Sequence, residues 1–438
     1  MQIKTWKLKN KKQIVIWQMF FIMGITCIVL NNIKLLDIDK DIESLVLTGM
    51  IGFLCITWIW QAVKNNSERL VLLIGYLFRL LLLFIDIYGR EYIVLFSSKA
   101  DSEGFWRNAV NRYHGIPMPE YTKYPYIIRG FMEVFGENRL MAQYMNIIFW
   151  LITAIVLCQC LEIIKVKGNI RLIGIGLFCF MPQYMILTSI LMRESMIVFF
   201  NTISLYFFLR WYKEQSFLWI VIAEAMVLFS MVLHSGAIGI GAAYGVAYAL
   251  YNNKTGKMCV SWRTIILLII GIAGLSILYV SPYRRFLLSY IPKMNSVFEV
   301  QKKRFLIGGS DYLRNMPYTT NLWTLVKNSM VRMLYFYISP VPWEWRGIKD
   351  IIAFCMDAGF QVAAWTIGVY GWVRKKDKQI LISWLLLCLF FTGIIFAWGV
   401  SNAGTAMRHR NKLIGIEIVL ICAAIKQCRF SQKVTRKG

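Results

Sequence analysis

Apolar runs of roughly 18 to 22 residues recur along the chain, each long enough to cross about 30 Å of hydrocarbon. They fall at 14–30, 44–63, 70–88, 140–163, 171–190, 195–211, 217–233, 235–251, 264–281, 351–373, 379–399 and 412–426. The pattern predicts an all-α polytopic membrane protein of about twelve transmembrane helices. A further stretch, LWTLVKNSMVRMLYFYISP at 322–340, is interrupted by Lys327 and Arg332. Counted as a crossing, it would move the basic segment VRKKDK (373–378) and the basic carboxyl tail to the outside, against the positive-inside trend. It is therefore expected to be an interfacial or re-entrant helix on the outer face. The polar interval from Glu103 to Tyr113 has helical amphipathy, with Trp106, Val110 and Tyr113 on one side and Arg107 and Asn111 on another.

The charges between the runs orient this plan. Lys4, Lys7, Lys9, Lys11 and Lys12 place the amino terminus in the cytoplasm, and each short loop then counted as inner is positive. Both termini are expected inside a bacterial cytoplasmic membrane. The first run, 14–30, lacks a small-residue cleavage site and reads as an anchor. No internal repeat and no soluble domain stands out, so residues 1–438 read as one integral membrane domain. The outer face then carries 89–139, the turn TSILMRES (188–195), the long loop 282–350, and GVSNAGTAMRHRNK (399–412), with His114, His234 and His409 on or near it.

Composition agrees with a membrane protein. Hydrophobic residues make up 58% and charged residues 16%, against about a quarter charged in soluble domains, and mean hydropathy is +0.54. A net charge of +26 would suggest nucleic acid in a soluble protein; here basic cytoplasmic loops account for it, and no nucleic-acid partner is expected. The ten cysteines lie in apolar runs or in segments placed inside, which argues against a disulfide framework or a zinc site.

The candidate chemistry is on the outer segments. In KADSEGFW (99–106), Asp101 and Glu103 would point about 200° apart on a helix, so they do not converge on one substrate. As a plain helix start, Asp101 or Ser102 would be the N-cap and Glu103 would complement the first-turn dipole. As chemistry, an acidic residue here would be a general base at the membrane surface. Seven basic residues between 284 and 314, Arg284 and Arg285 among them, run against the positive-inside trend. With Arg193 in LMRES and Arg408, His409 and Arg410 in AMRHR, they suit a phosphate or pyrophosphate. Binding of anionic lipid without catalysis is the plainer alternative.

The order D-S-E (101–103), a spacer of about twenty residues, Y-P (124–125), F-x-x-x-F-G-x-N-R (131–139) and then a span bearing Asn146 resembles the first outer loop of the GT-C superfamily of polytopic glycosyltransferases. That group holds protein O-mannosyltransferases and related bacterial sugar transferases. The resemblance covers about residues 99–150, and departs from the family in having three spans before the acidic loop instead of one. It implies a GT-C-like fold, with Asp101 as the catalytic base and Glu103 as the weaker candidate. The implied donor is a polyprenyl-phosphate-linked sugar, the acceptor a cell-envelope glycan or lipid-linked saccharide, with Arg193, Arg284, Arg285, Arg408, Arg410 and His409 on the donor phosphate. Loops 89–139 and 282–350 would roof the site. Nothing in the sequence demands a cofactor; a divalent metal is compatible with it. SPVPWEW (339–345) and the terminal N-x-G-T-x-x-R-H-R loop are also similar to Wzy-type polysaccharide polymerases. A third class is a transporter or flippase for a lipid-linked saccharide.

Overall fold

The computed structural model describes residues 39–269 (apart from 121, 253 and 254), 273, 311–313, 316, 321–374 and 380–435. The expected span 14–30 lies outside the described residues, as does most of 264–281. The rest is helical apart from loops and a two-residue hairpin, Tyr251–Asn252 with Lys257–Met258. In chain order the helices are α1 (Lys40–Ala62), α2 (Asn66–Tyr88), α3 (Glu103–Tyr113), α4 (Tyr124–Phe135), α5 (Arg139–Ile163), α6 (Gly168–Phe180), α7 (Pro182–Ser189), α8 (Glu194–Glu214), α9 (Phe217–Leu233) and α10 (Ile238–Leu250). Beyond the hairpin follow α11 (Leu322–Ile338), α12 (Ile348–Ala353), α13 (Gly359–Val373), α14 (Ile380–Gly399), α15 (Ala403–Arg410) and α16 (Ile414–Thr435).

The boundaries follow local chemistry. Asp39, Asn65, Asn321 and Asn402 each cap a helix by accepting from amides of the first turn, for example Asp41 N on Asp39 at 2.8 Å and Ser67 N on Asn65 at 2.8 Å. Pro182 divides the expected span 171–190. A residue before proline avoids the helical region, and Met181 has φ −58° and ψ 113°. The two halves, α6 and α7, bend by 51°.

Among the described residues, five helices are long and apolar enough to cross a membrane, or six if the bent pair is one span. They are α1, α2, α5, the continuous Ile348–Val373 stretch and α14. The apolar helices Phe217–Leu233 and Ser235–Leu250 are shorter, so the described residues by themselves show five or six crossings on length and hydropathy, not twelve. The segment expected at 322–340 forms α11, whose 17 residues extend about 25 Å. It packs along α14, where Tyr337 Oη donates to the Leu389 carbonyl at 2.6 Å and Trp398 Nε1 donates to Ser329 Oγ at 3.0 Å.

The chain forms two compact units, one of Met1–Leu151 with Thr188–Met192, the other of Ile152–Leu187 with Arg193–Gly438. In the first, Tyr76 and Tyr144 share a buried hydroxyl–hydroxyl hydrogen bond of 2.6 Å. In the second, α16 is the axis: its residues 414–422 are buried on every side, the signature of a helix at the centre of a bundle. Small residues let its neighbours approach. A Cβ at Gly371 would lie 2.6 Å from that of Ala424, and one at Gly174 2.5 Å from Cys422 Sγ.

Candidate active site

In the first unit the acidic loop does not end in a plain helix cap. Ser102 occupies the cap position of α3 but makes no capping hydrogen bond. Its Oγ accepts from Arg139 Nη2 at 3.3 Å. Glu103 begins α3, as expected, and is held by two guanidiniums. Arg139 donates Nη1 to Oε2 at 2.9 Å and Nη2 to Oε1 at 2.5 Å, and Arg90 donates to Oε1 as well. Arg90 also binds Asp86 at 2.9 Å, and the buried Asp86 further accepts from Ser98 Oγ and from Gln143 Nε2 at 2.9 Å. Two carboxylates and two guanidiniums thus form one neutral network. Partial burial would raise the Glu103 carboxyl, but the hydrogen bonds and charges of Arg139 and Arg90 outweigh it and hold the group below its ordinary value. A carboxylate so engaged is a weak base.

The lowered Glu103 value sets a pH dependence. Its stabilising contribution is fully present above the unfolded-state value and is lost as pH falls through the folded one. The stability gap between wild type and Glu103→Gln is therefore constant at neutral pH. It begins to close only below the ordinary glutamate value of about 4.3. Thermal unfolding of both proteins across pH 3 to 8 measures it.

Asp101 lies in a π-helical turn, Ser98–Ser102, and its side chain is exposed. The turn is entered through Ser97 at φ +67°, a left-handed conformation uncommon for a residue with a Cβ. Such turns and such backbone outliers are frequent at functional positions.

The rest of the quoted motif has assigned work in the same unit. Gly136, at φ +69°, ends α4. Asn138 accepts from the Met141 amide at 3.0 Å, fixing the start of α5, and donates to Ser44. Asn146 donates to the carbonyls of Ile190 and Met192 at 2.7 and 2.9 Å, while Gln143 donates to that of Ser189 at 2.7 Å. These amides anchor the 188–192 turn.

The second unit collects the other candidates. Arg408, His409 and Arg410 close α15, and successive helical positions diverge by about 100°, so each meets a different partner. Arg408 reaches Glu194 Oε1 at 3.3 Å. Lys412 Nζ is 3.9 Å from the same oxygen, with both side chains fully buried. Arg193, just before α8, donates to the Leu233 carbonyl at 2.9 Å. His409 Nε2 lies 3.1 Å from His234 Nε2, and His409 Nδ1 lies 3.2 Å from Lys412 Nζ. Burial foremost, with the neighbouring guanidiniums of Arg193 and Arg408 among the smaller causes, holds both imidazoles well below their ordinary value. Both rings are neutral at pH 7.

Residues 118–275 match the family model for dolichyl-phosphate-mannose-protein mannosyltransferase. The chain is similar to the GT-C membrane glycosyltransferases. The match takes in α4, the Phe135–Arg139 turn, α5 and the Arg193–Glu194 turn; Asp101 and Glu103 precede it. No curated protein and no solved structure matches the chain.

Arg193, Arg408 and His409 are thus brought together, and Arg410 is placed apart from them. Its Nε and Nη2 bind Asp357, Nη1 donates to the carbonyls of Phe336 and Tyr337 at 2.9 and 2.7 Å, and Nη2 donates to that of Ser339 at 2.6 Å. A guanidinium has five N–H donors, and these contacts use all five on buried internal partners. That leaves Arg410 a structural role in place of the phosphate contact expected of it. Arg284 and Arg285 lie outside the described residues. Lys412, His234, Arg90 and Arg139 complete the two clusters without having been singled out. His234 was visible only as one of three outer-face histidines, and Arg139 only as the last letter of a motif. Among the described residues no group of three or more His, Cys, Asp or Glu side chains is arranged to hold a metal.

Proposed function

We propose that this protein is a glycosyltransferase of the outer face of a bacterial cytoplasmic membrane, using a polyprenyl-phosphate-linked hexose as donor. The family description favours mannose as that hexose. The acceptor is a cell-envelope glycan or lipid-linked saccharide. The observation that carries this reading is the gathering of two guanidiniums, Arg193 and Arg408, around one buried carboxylate, Glu194. Their cation excess matches the phosphate of a lipid-linked sugar.

In this scheme Asp101 takes the proton of the acceptor hydroxyl. The acceptor oxygen bonds to the anomeric carbon as the bond from that carbon to the phosphate oxygen breaks. The electron pair leaves on the phosphate, so no acid has to protonate the leaving group. One carboxylate suffices, in contrast to the pair used by glycoside hydrolases. Arg193 and Arg408, with His409, stabilise the charge developing on the departing phosphate. Arg284 and Arg285 are proposed for the same phosphate, and loops 89–139 and 282–350 as the cover over the reaction.

The test is the full-length protein in liposomes with a radiolabelled short-chain polyprenyl-phosphate mannose. Release of polyprenyl phosphate together with labelled glycan supports the reading. Intact donor appearing in the opposite leaflet would show a transporter. Activity restricted to pyrophosphate-linked oligosaccharides, growing by whole repeats, would show a Wzy-type polymerase.

A further inference from the structure

Two histidines and a lysine form a chain whose direction is set at one end. The Gly236 amide donates to His234 Nδ1 at 3.2 Å, so the neutral ring carries its proton on Nε2. That nitrogen faces His409 Nε2 at 3.1 Å, which must accept. His409 then holds its own proton on Nδ1, aimed at Lys412 Nζ 3.2 Å away. An amine accepts a hydrogen bond only when it is uncharged. If Lys412 is instead an ammonium, it donates to His409 Nδ1 and both ring protons shift along. His234 Nδ1–H is then driven against the Gly236 N–H. The charge on Lys412 and the direction of the chain are therefore one variable.

The surroundings make that variable matter. Lys412 is buried under a rim of half-buried Arg193, His234, Arg408 and His409. The charged groups facing it are Glu194 and Arg193, at the start of α8, and Arg408 of α15. From α14 it meets the Phe396 ring, 5.6 Å away. Glu417 of α16 is turned to Gln361, whose amide donates to it at 3.2 Å. Glu194 Oε2 is buried with no hydrogen-bond partner among the described residues. With Lys412 neutral, two guanidiniums against one carboxylate leave a single positive charge; with an ammonium there are two.

We propose that this cluster takes up one proton, at Lys412, as its bound phosphate changes from a diester to a monoester. The inference rests on the phosphate role assigned to Arg193 and Arg408. A donor phosphodiester carries one negative charge. Sugar transfer turns it into a phosphomonoester carrying two, and the acceptor hydroxyl proton passes through the base to water. The neutral-lysine state matches the substrate, and the ammonium state matches the product. His234 and His409 are positioning residues: they hold the amine uncharged until the second phosphate charge appears.

The experiment is calorimetric titration of the full-length protein in detergent with decyl phosphate and with methyl decyl phosphate. At about pH 8.5 the free monoester is already a dianion, because its second pKa is about 6. Two buffers of different ionisation enthalpy count the protons exchanged. Wild type is expected to take up about one proton per monoester bound and none per diester, and monoester affinity is expected to fall about tenfold per pH unit while diester affinity stays level. Lys412→Met should lose the uptake and the pH slope while still binding the diester. Equal uptake for both ligands, no uptake with the monoester, or uptake persisting in Lys412→Met would overturn the proposal. If Lys412→Met does not fold, the two-buffer count and the pH slope of wild type decide the matter alone. Failure of wild type to bind either ligand would instead remove the phosphate reading, and this inference with it.

Discussion

Arg410→Met is expected to destabilise the folded protein by about 3–5 kcal/mol, the range for breaking a buried ion pair by removing one partner. The methionine fills much of the volume, so the loss is electrostatic and not a cavity. Asp357 is almost fully buried and would retain the Asn411 amide, at 3.2 Å, in place of a charged partner. The carbonyls of Phe336, Tyr337 and Ser339 lose their donor together. Those carbonyls end α11, so the substitution also loosens the seat of that helix against α14. Adding Asp357→Leu should recover part of the loss, because the uncompensated charge is the larger component. Thermal and denaturant unfolding in detergent measure both variants. An unchanged midpoint for Arg410→Met, coupled to weaker donor binding, would return Arg410 to the phosphate.

Asp101→Asn is expected to lower the rate of sugar transfer roughly 10²–10⁴-fold, the usual contribution of a positioned general base. The amide has nearly the shape of the carboxylate but cannot take the acceptor proton. Donor binding should be unchanged, because the lipid phosphate is assigned to arginines and not to this residue. Glu103→Gln is the informative companion. It removes the charge that Arg90 and Arg139 share, so it should lower stability and affect transfer less than Asp101→Asn. Single-turnover transfer and donor titration on the two variants separate these outcomes. Full transfer by Asp101→Asn with a severe loss in Glu103→Gln would exchange the two roles.

The positions of the helices were legible along the chain because hydrocarbon imposes a length. Expected spans at 44–63, 70–88, 140–163, 351–373 and 379–399 correspond closely to α1, α2, α5, Ile348–Val373 and α14. Their starts were legible where a short polar side chain could satisfy first-turn amides, as at Asn65 and Asn402. The likeness to polytopic glycosyltransferases rested on one local motif, and its residues do local work: Gly136 ends a helix and Asn138 begins the next.

Partnership was a matter for the tertiary structure. Arg408, His409 and Arg410 are three consecutive basic residues and read as one cationic patch. Helical geometry divides them among Glu194, His234 and Asp357, which stand 214, 175 and 53 residues away. No spacing in a sequence encodes such pairings, since they depend on which helices pack together. The same holds for Glu103, which looked like a first-turn charge until Arg139, 36 residues on, closed over it. By itself the sequence determined that the chain enters a membrane and where its polar residues interrupt the apolar runs, because each follows from local hydration. Which of those polar residues are used up inside the fold, and which are left to meet a substrate, was decided only when packing removed some of them from water and gave them partners.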